Sequence, residues 1–231
     1  MTGSRIVEFV GLPGVGKTTI SAAVAREIDD RGKLVHEPTH KMESYPRYSR
    51  IGHKSRFACS SLFALPQHSL SQTLAILNSD QESFSDFVRV LFNYHYIAGV
   101  IASHRREPQV CLLDQGLYQS ILSIGLQSAN SWNDLFTQFG CVDRLLSPDL
   151  VIFVEADNCT IAERLSSRKN GETRVDPNSS DFARIEDGIQ NLKKHLQTND
   201  GVETMTIRNE TRGGLEENAS SIADRIISPD L

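Results

Sequence analysis

The sequence predicts an α/β protein whose parallel sheet is covered by helices on both faces. Three short apolar runs, residues 6–10, 110–113 and 150–154, have the length and continuity of strands that are buried on both sides. Two further strands are predicted over residues 33–37 and 202–207. Segments with helical spacing separate these strands, and that alternation is typical of a parallel sheet with crossover helices.

The helical segments follow from apolar residues that recur every three or four positions. In the first segment Ile20, Val24 and Ile28 share one face, and Gly32 stands just past the end. Helices are predicted over residues 17–31, 57–77 with a break near Pro66, 84–106, 117–127, 133–139, 158–168, 182–197 and 215–227. The apolar stripe predicted for the segment 84–106 consists of Phe84, Phe87, Val88, Leu91 and Phe92. Residues 40–56 are predicted to be a connector rich in His, Lys, Arg and Tyr.

Length and composition indicate one ordinary globular domain, residues 1–231. Hydrophobic residues make up 39% and charged residues 23% of the sequence, which permits a continuous buried core. The net charge of −5 argues against a nucleic-acid-binding protein. The N-terminus has no long apolar segment, and the four cysteines have neither metal-ligand spacing nor the density of a disulfide scaffold. We therefore expect no membrane span and a cytoplasmic location.

The most specific motif begins at the end of the first predicted strand. Residues 11–18 read GLPGVGKT and match the P-loop pattern G-x-x-x-x-G-K-[ST] in full. Glycines let the backbone curl so that its N–H groups point at phosphate oxygens, and the following helix adds its positive N-terminal end. In this pattern the lysine contacts the β- and γ-phosphates of ATP, and the threonine hydroxyl binds Mg²⁺. The residues assigned to the nucleotide are Gly11, Pro13, Gly14, Val15, Gly16, Lys17, Thr18 and Thr19.

An acidic residue at the end of a second strand completes the predicted metal site. The apolar run 110–113 leads directly into Asp114. The carboxyl ends of neighbouring parallel strands are where such sheets bind ligands, although an aspartate in an ordinary turn would give the same pattern. We expect Thr18 and Asp114 to hold Mg²⁺ and Lys17 to act on the phosphoryl group that is transferred. Glu155 ends another strand in the same way, but Asp114 has the better context.

These elements together resemble the nucleoside-monophosphate kinase branch of P-loop proteins, and thymidylate kinases most of all. Residues 33–39, KLVHEPT, look like the second strand and the Glu-Pro ending shared by thymidylate and deoxynucleoside kinases. Residues 148–154, PDLVIFV, are similar to the strand before the lid in thymidylate kinases. Residues 162–168, AERLSSR, resemble the arginine-bearing helix that leads into that lid. The resemblance runs loosely along nearly the whole chain.

The resemblance implies a five-stranded parallel sheet in the strand order 2-3-1-4-5. It also implies an acceptor-binding segment at about residues 38–80 and a mobile lid at about residues 168–180, whose closure keeps water from taking the phosphoryl group. Arg164, Arg168 and Arg174 are then expected to gather around that group and to act in catalysis. The alternative for these arginines is a solvated helix face with ordinary surface pairs. Members of the family are often dimers, so a homodimer is a further expectation.

The acceptor site departs from the family pattern at one position. Thymidylate kinases typically follow the strand-end aspartate with an arginine that binds the monophosphate, but residues 114–116 here read DQG. Glutamine donates hydrogen bonds without a fixed positive charge. Residues 41–56 carry five Lys or Arg residues against one Glu, so they indicate either an anionic acceptor or a solvated loop. The residues assigned to the acceptor are Glu37, Arg47, Arg50, Tyr94 and Gln115. Tyr96 is the alternative to Tyr94.

The predicted function is transfer of the γ-phosphoryl group from Mg-ATP to a small acceptor, with a nucleoside monophosphate as first choice. The alternative is a nucleoside, sugar or antibiotic kinase, in which Glu37 orients or deprotonates an acceptor hydroxyl. A regulatory GTPase is disfavoured because the sequence has no Asn-Lys-x-Asp element. A mechanical ATPase is disfavoured because nothing resembles its helical lid domain. A protein that senses nucleotide without turnover is the remaining alternative.

Overall fold

The computed structural model describes residues 4–38, 46–79, 81, 83–126, 128–140, 146–167, 179–198 and 202–227. Its centre is a parallel sheet of five strands in the order β2-β3-β1-β4-β5, which confirms the predicted strand order. The strands are β1 (Arg5–Val10), β2 (Val35–His36), β3 (Val110–Leu113), β4 (Leu150–Glu155) and β5 (Glu203–Arg208). The apolar side chains of β1, β3 and β4 are buried almost completely, as expected for strands covered on both faces.

Helices connect the strands and cover the sheet. In chain order they are α1 (Lys17–Asp30), α2 (Arg47–Ala64), α3 (Pro66–Leu77), α4 (Phe84–His104), α5 (Leu117–Leu126), α6 (Trp132–Gly140), α7 (Asn158–Ser166), α8 (Ser180–Thr198) and α9 (Arg212–Ile227). The predicted break near Pro66 is confirmed, because α2 ends at Ala64 and Pro66 opens α3. Proline is well suited to that first helical position, where its missing N–H has no intrahelical partner.

Two of the sequence-based predictions need correction. Residues 47–56, predicted as part of a connector, form the first half of α2. They carry few apolar residues, and their helical state depends on packing of α2 against α4, which the local pattern does not reveal. The stripe predicted for α4 is also wrong at two positions, because Phe84 is 81% exposed and Val88 is 45% exposed. The buried face of α4 lies further along, at Val90, Ile97 and Ile101.

The central position of β1 determines where a site can form. Glu8 of β1 pairs with Leu113 of β3 on one side and with Val151 of β4 on the other. The carboxyl ends of these three strands therefore lie side by side. Because chain segments leave parallel strands at the same edge, the glycine-rich loop after β1 faces the residues that follow β3 and β4.

Apolar side chains also remain on the surface. Leu70, Leu74 and Leu77 follow one another on α3 at the spacing of one helix face, and each is at least half exposed. This helix contains no Asp, Glu, Lys or Arg residue.

The homodimer inferred from the family resemblance stays a prediction. None of the described helices has the length and apolar character needed to cross a membrane.

The helices α2 and α4 approach each other most closely at a glycine. A Cβ atom at Gly99 of α4 would lie 2.0 Å from the carbonyl oxygen of Phe57 in α2. Real Cβ atoms do not come that close to backbone atoms, so any larger residue must separate the two helices. Gly52 of α2 offers the opposite case, because no atom lies within 4 Å of its added Cβ.

We expect Gly99→Ala to lower the free energy of unfolding by about 2 kcal/mol, since a forced methyl group must displace a helix backbone. Gly52→Ala is the matched control and should raise the same quantity by up to about 1 kcal/mol, because alanine favours a helix more than glycine does. Urea titrations followed by circular dichroism measure both. Equal stability of Gly99→Ala and the unmodified chain would contradict the close helix contact.

Candidate nucleotide-binding site

The loop between β1 and α1 has the backbone of an anion cradle. Gly14 and Gly16 both have left-handed conformations, with φ angles of 90° and 92°. Residues with a Cβ atom rarely adopt these angles, so glycine is required at both turns. Gly16 is also the residue that precedes the first turn of α1, which begins at Lys17. The positive end of the α1 dipole therefore opens into the loop.

Close contacts from other segments explain two glycines of the motif. A Cβ atom at Gly11 would lie 2.5 Å from the carbonyl oxygen of Val154, at the end of β4. A Cβ atom at Gly16 would lie 2.4 Å from the Nδ2 atom of Asn209, just after β5. The loop is thus packed between the ends of two other strands, and its shape does not depend on local sequence alone.

Lys17 reaches back over the loop. Its Nζ atom donates hydrogen bonds to the carbonyl oxygens of Gly11, at 2.7 Å, and Leu12, at 3.0 Å. The ammonium group is thereby held at the same edge of the sheet as the loop. A single positive charge in this position can interact with phosphate oxygens bound by the loop.

Thr18 and Asp114 meet as the sequence predicts. The Thr18 hydroxyl donates a hydrogen bond of 2.8 Å to the Oδ2 atom of Asp114, whose side chain is buried. One hydroxyl and one carboxylate suit Mg²⁺, which takes few protein ligands and completes its shell with water and substrate phosphates. Within the described part of the chain no group of three or more His, Cys, Asp or Glu residues could hold a metal ion by itself. The donor set therefore fits a magnesium ion that arrives with a nucleotide.

Arg164 and Asn209 hold the loop from outside. Arg164, in the last turn of α7, donates through Nη1 to the carbonyl of Val15, at 3.0 Å, and through Nη2 to the carbonyl of Asn209, at 2.9 Å. The Asn209 side chain donates to the same Val15 carbonyl at 2.8 Å. The structure thus places Arg164 against the backbone of the loop. Asn209 was missed from the sequence, because it follows a weakly patterned strand and belongs to no recognisable motif.

A cavity of about 370 Å³ opens beside this part of the loop. Its lining includes Gly14, Gly16 and Thr19 from the loop and the start of α1. Arg164 and Asn209 form another part of the wall. Its size lies within the range of small-molecule pockets, and it adjoins the anion cradle directly.

A second group of polar side chains gathers on the side of Asp114 that faces β2 and α2. Glu37, just after β2, is buried, and it lies near enough to Tyr96 to contribute to the raised pKa of that phenol. Burial is the largest cause of that raised pKa, and Cys111 and Asp114 contribute as well. The Nζ atom of Lys54 lies 5.2 Å from the centre of the Tyr96 ring. Two acids, one phenol and one cation are therefore brought together.

Lys54 is a further group affected by this environment. Its pKa is lowered, first by burial and then by the nearby positive charge of Arg50, while Asp114 opposes the shift. Lys54 is one of the five basic residues of the segment 41–56, but it was not predicted to be a site residue. Its position on the inner face of α2 became visible only with the packing of that helix against α4.

The other residues predicted to bind the acceptor do not all lie in this group of polar side chains. Tyr94 is fully buried in the core, where its ring lies 5.9 Å from that of Phe139. Arg50 and Gln115 are exposed. Arg168, Arg174 and the side chain of Arg47 lie outside the described residues, as does most of the predicted lid.

Glu8 is a buried acid that the sequence analysis did not single out. It lies in the middle of β1 with no exposed surface. Burial raises its pKa from the ordinary value of 4.5 to about 7, although backbone N–H groups of Gln119, Tyr118 and Leu117 at the start of α5 act in the opposite direction. A charged residue inside an apolar strand is the signal that could have identified it.

Comparison with solved structures shows similar architecture in kinases. A deoxyadenosine kinase from M. mycoides with bound dATP has a TM-score of 0.57 and 14% sequence identity, and the match covers 97% of this chain and 100% of that chain. The same enzyme with bound dCTP has a TM-score of 0.54 and 13% sequence identity, and the match covers 96% of this chain and 100% of that chain. A thymidylate kinase from Ehrlichia chaffeensis has a TM-score of 0.53 and 11% sequence identity, and the match covers 97% of this chain and 99% of that chain. No family model and no curated protein matches the sequence.

These likenesses show the fold and extend over nearly the full length of each chain. The protein therefore has the fold of P-loop kinases, with the predicted sheet order and the glycine loop at the expected strand end. At identities this low, the acceptor and the chemistry have to be argued from the side chains of this chain.

The raised pKa of Glu8 has a measurable effect on stability. Between about pH 4.5 and pH 7 the carboxyl is protonated in the folded state but ionised in the unfolded chain. The stability that the folded chain has with a protonated Glu8 is therefore complete below about pH 4.5. It is lost as the pH rises through about 7. We therefore expect Glu8→Gln, which cannot ionise, to gain about 3 kcal/mol relative to the unmodified chain between pH 4.5 and pH 8. Urea titrations at several pH values test this, and a constant difference between the two proteins would contradict it.

Proposed function

We propose that this protein is a kinase that transfers the γ-phosphoryl group of Mg-ATP to a nucleoside monophosphate. The observation that carries the proposal is the hydrogen bond between Thr18 and Asp114, formed beside the glycine loop and Lys17. This contact joins two distant parts of the sequence into one site for a nucleotide-bound magnesium ion. We also propose a cytoplasmic location, on the sequence argument from cysteine spacing.

The donor nucleotide is proposed to lie along the loop. Its phosphates fit the anion cradle formed by the loop and the N-terminus of α1. Its base is assigned to the cavity lined by Thr19, Arg164 and Asn209. The M. mycoides structure with bound dATP supports a nucleotide role for this fold, since the two chains match over nearly their whole length.

In the proposed reaction the protein contributes position and charge. An oxygen of the acceptor attacks the γ-phosphorus in line with the bond to the departing ADP, and that bond breaks as the new one forms. Lys17 stabilises charge on the phosphoryl oxygens. Thr18 and Asp114 would hold a magnesium ion, which would neutralise negative charge on the nucleotide phosphates. Arg168 and Arg174, on the predicted lid, are proposed to add positive charge when the lid closes.

A monophosphate acceptor is favoured by the cations on α2. Lys54 points toward Asp114 and Tyr96, and Arg50 lies close enough to lower the pKa of Lys54. Two neighbouring positive charges repel each other, and an anion placed between them relieves that repulsion. The exposed Gln115 supplies hydrogen bonds at the position where the family pattern has arginine.

A nucleoside acceptor is the second candidate, and buried Glu37 favours it. Its carboxylate lies at the acceptor side of the site, near Tyr96. Such a group can accept the proton of an attacking hydroxyl, which a monophosphate acceptor does not require. The two candidates share the donor site and differ in the roles of Glu37 and Lys54.

We expect Lys17→Ala to lower kcat/KM for phosphoryl transfer at least about a hundredfold, because a positioned charge at the phosphoryl group is lost. ADP release with dTMP, other monophosphates, nucleosides and sugars as acceptors is the measurement. Lys33→Ala, at an exposed lysine beyond α1, is the matched control and should keep the activity. Unchanged turnover in Lys17→Ala would refute the proposed site.

The acceptor class can be read from two substitutions. With a monophosphate acceptor, Lys54→Met should raise the KM for that acceptor at least about tenfold and leave the KM for ATP nearly unchanged, because one charged contact is lost. With a nucleoside acceptor, Glu37→Gln should instead lower kcat about a hundredfold or more through loss of the base. Steady-state kinetics on both variants decide between the candidates. Wild-type kinetics in both would show that the acceptor binds elsewhere.

A further inference from the structure

The carboxyl group of Glu8 joins three segments that surround the nucleotide site. Its Oε1 atom accepts a hydrogen bond of 2.8 Å from the backbone N–H of Gln119, in the first turn of α5. The Gln119 side chain in turn accepts a hydrogen bond of 3.3 Å from the backbone N–H of Gly11, the first glycine of the loop. A continuous path of hydrogen bonds therefore runs from β1 through α5 to the phosphate loop.

The same carboxyl group also fixes the turn that follows Asp114. A Cβ atom at Gly116 would lie 2.3 Å from the Cδ atom and 2.5 Å from the Oε2 atom of Glu8. The backbone at Gly116 is thus packed directly against the Glu8 side chain, and only glycine leaves space for it. Asp114 lies two residues earlier, so its backbone is tied to this contact.

This arrangement is unfavourable for folding by itself. Burial of an acid with no exposed surface opposes its ionisation, and Oε2 has no hydrogen-bond partner among the described residues. The strand neighbours of Glu8 are apolar, namely Leu113 on β3 and Val151 on β4. On α5 the titratable neighbour is Tyr118, whose pKa rises to about 12, mainly through burial and in part through Glu8. An apolar residue would suit the core better, which points to a role of Glu8 at the site.

We propose that Glu8 is a positioning residue that sets the location of Asp114 relative to Thr18, and so the strength with which Mg²⁺ is held on a bound nucleotide. Through Gln119 it also sets the position of Gly11. The proposal rests on the assignment of Thr18 and Asp114 to the metal under the proposed function. Groups that orient a metal ligand typically contribute about 10- to 100-fold in metal affinity.

The test compares ADP binding in excess Mg²⁺ with ADP binding in EDTA, by calorimetry on the full chain. The ratio of the two affinities isolates the contribution of the metal and requires no turnover. Glu8→Met keeps the side-chain volume but replaces the carboxylate oxygens with a weakly accepting sulfur, and should reduce this ratio at least about tenfold. Glu8→Gln keeps the acceptor oxygen and should restore the ratio to within about threefold. Ser123→Ala, at an exposed position of α5, is the control and should match the unmodified chain.

A second variant tests the hydrogen bond between the Gln119 side chain and the backbone of Gly11, and it does not alter β1. Gln119→Leu removes the acceptor for the Gly11 N–H and should weaken ADP binding about equally with and without Mg²⁺. If Glu8→Met does not fold, this variant together with Glu8→Gln decides the matter. ADP affinity unchanged in Gln119→Leu, or a metal ratio lost in Glu8→Gln, would then overturn the proposal.

The outcomes separate this proposal from the proposed function. A wild-type metal ratio in folded Glu8→Met overturns the role of Glu8 and leaves the kinase proposal intact. An unmodified chain that binds ADP with no help from Mg²⁺ overturns both, because Thr18 and Asp114 would then not hold the metal. An unmodified chain that shows the metal effect but transfers no phosphoryl group overturns only the kinase proposal.

Discussion

The close packing of the glycine loop is the constraint on which the rest of the site depends. The loop leaves β1 at the centre of the sheet and is confined by the end of β4 at Gly11 and by Asn209 at Gly16. Arg164 adds a further brace at the Val15 carbonyl. These contacts come from segments about 140 to 200 residues away in sequence, so the cradle forms only when the sheet is assembled. A loop held in this way would present its backbone N–H groups to a phosphate without reorganisation.

Charge at the carboxyl edge of the sheet is arranged around that loop. Asp114 meets Thr18 on one side, and Glu37 and Lys54 lie beyond it toward α2. Glu8 lies beneath this edge and contacts the turn that follows Asp114. Buried acids weaken folding unless they are paired or hydrogen-bonded, so their concentration here is better explained by binding than by stability. The same edge thus combines the residues proposed to bind the donor, the metal and the acceptor.

The sequence predicted those parts of the molecule that local rules determine. The buried strands, the glycine loop and the strand-end aspartate are short-range patterns, and the sheet order followed from the family resemblance. Tertiary packing determined the remainder. Tyr94 and Tyr96 are two positions apart on one helix and so point about 200° apart, and only the packing of α4 shows that Tyr96 faces Lys54 while Tyr94 faces the core.

Phosphorus NMR of the purified chain with Mg-ATP and a mixture of nucleosides and nucleoside monophosphates tests the kinase proposal most directly. We expect the γ-phosphate resonance of ATP to decline while a new phosphomonoester or diphosphate resonance of one acceptor grows in equal amount. Accumulation of inorganic phosphate alone would show a hydrolase with this fold. An unchanged ATP spectrum would show that neither acceptor class is phosphorylated, and either result would contradict the assignment of the Lys17, Thr18 and Asp114 cluster to phosphoryl transfer onto a nucleoside or a nucleoside monophosphate.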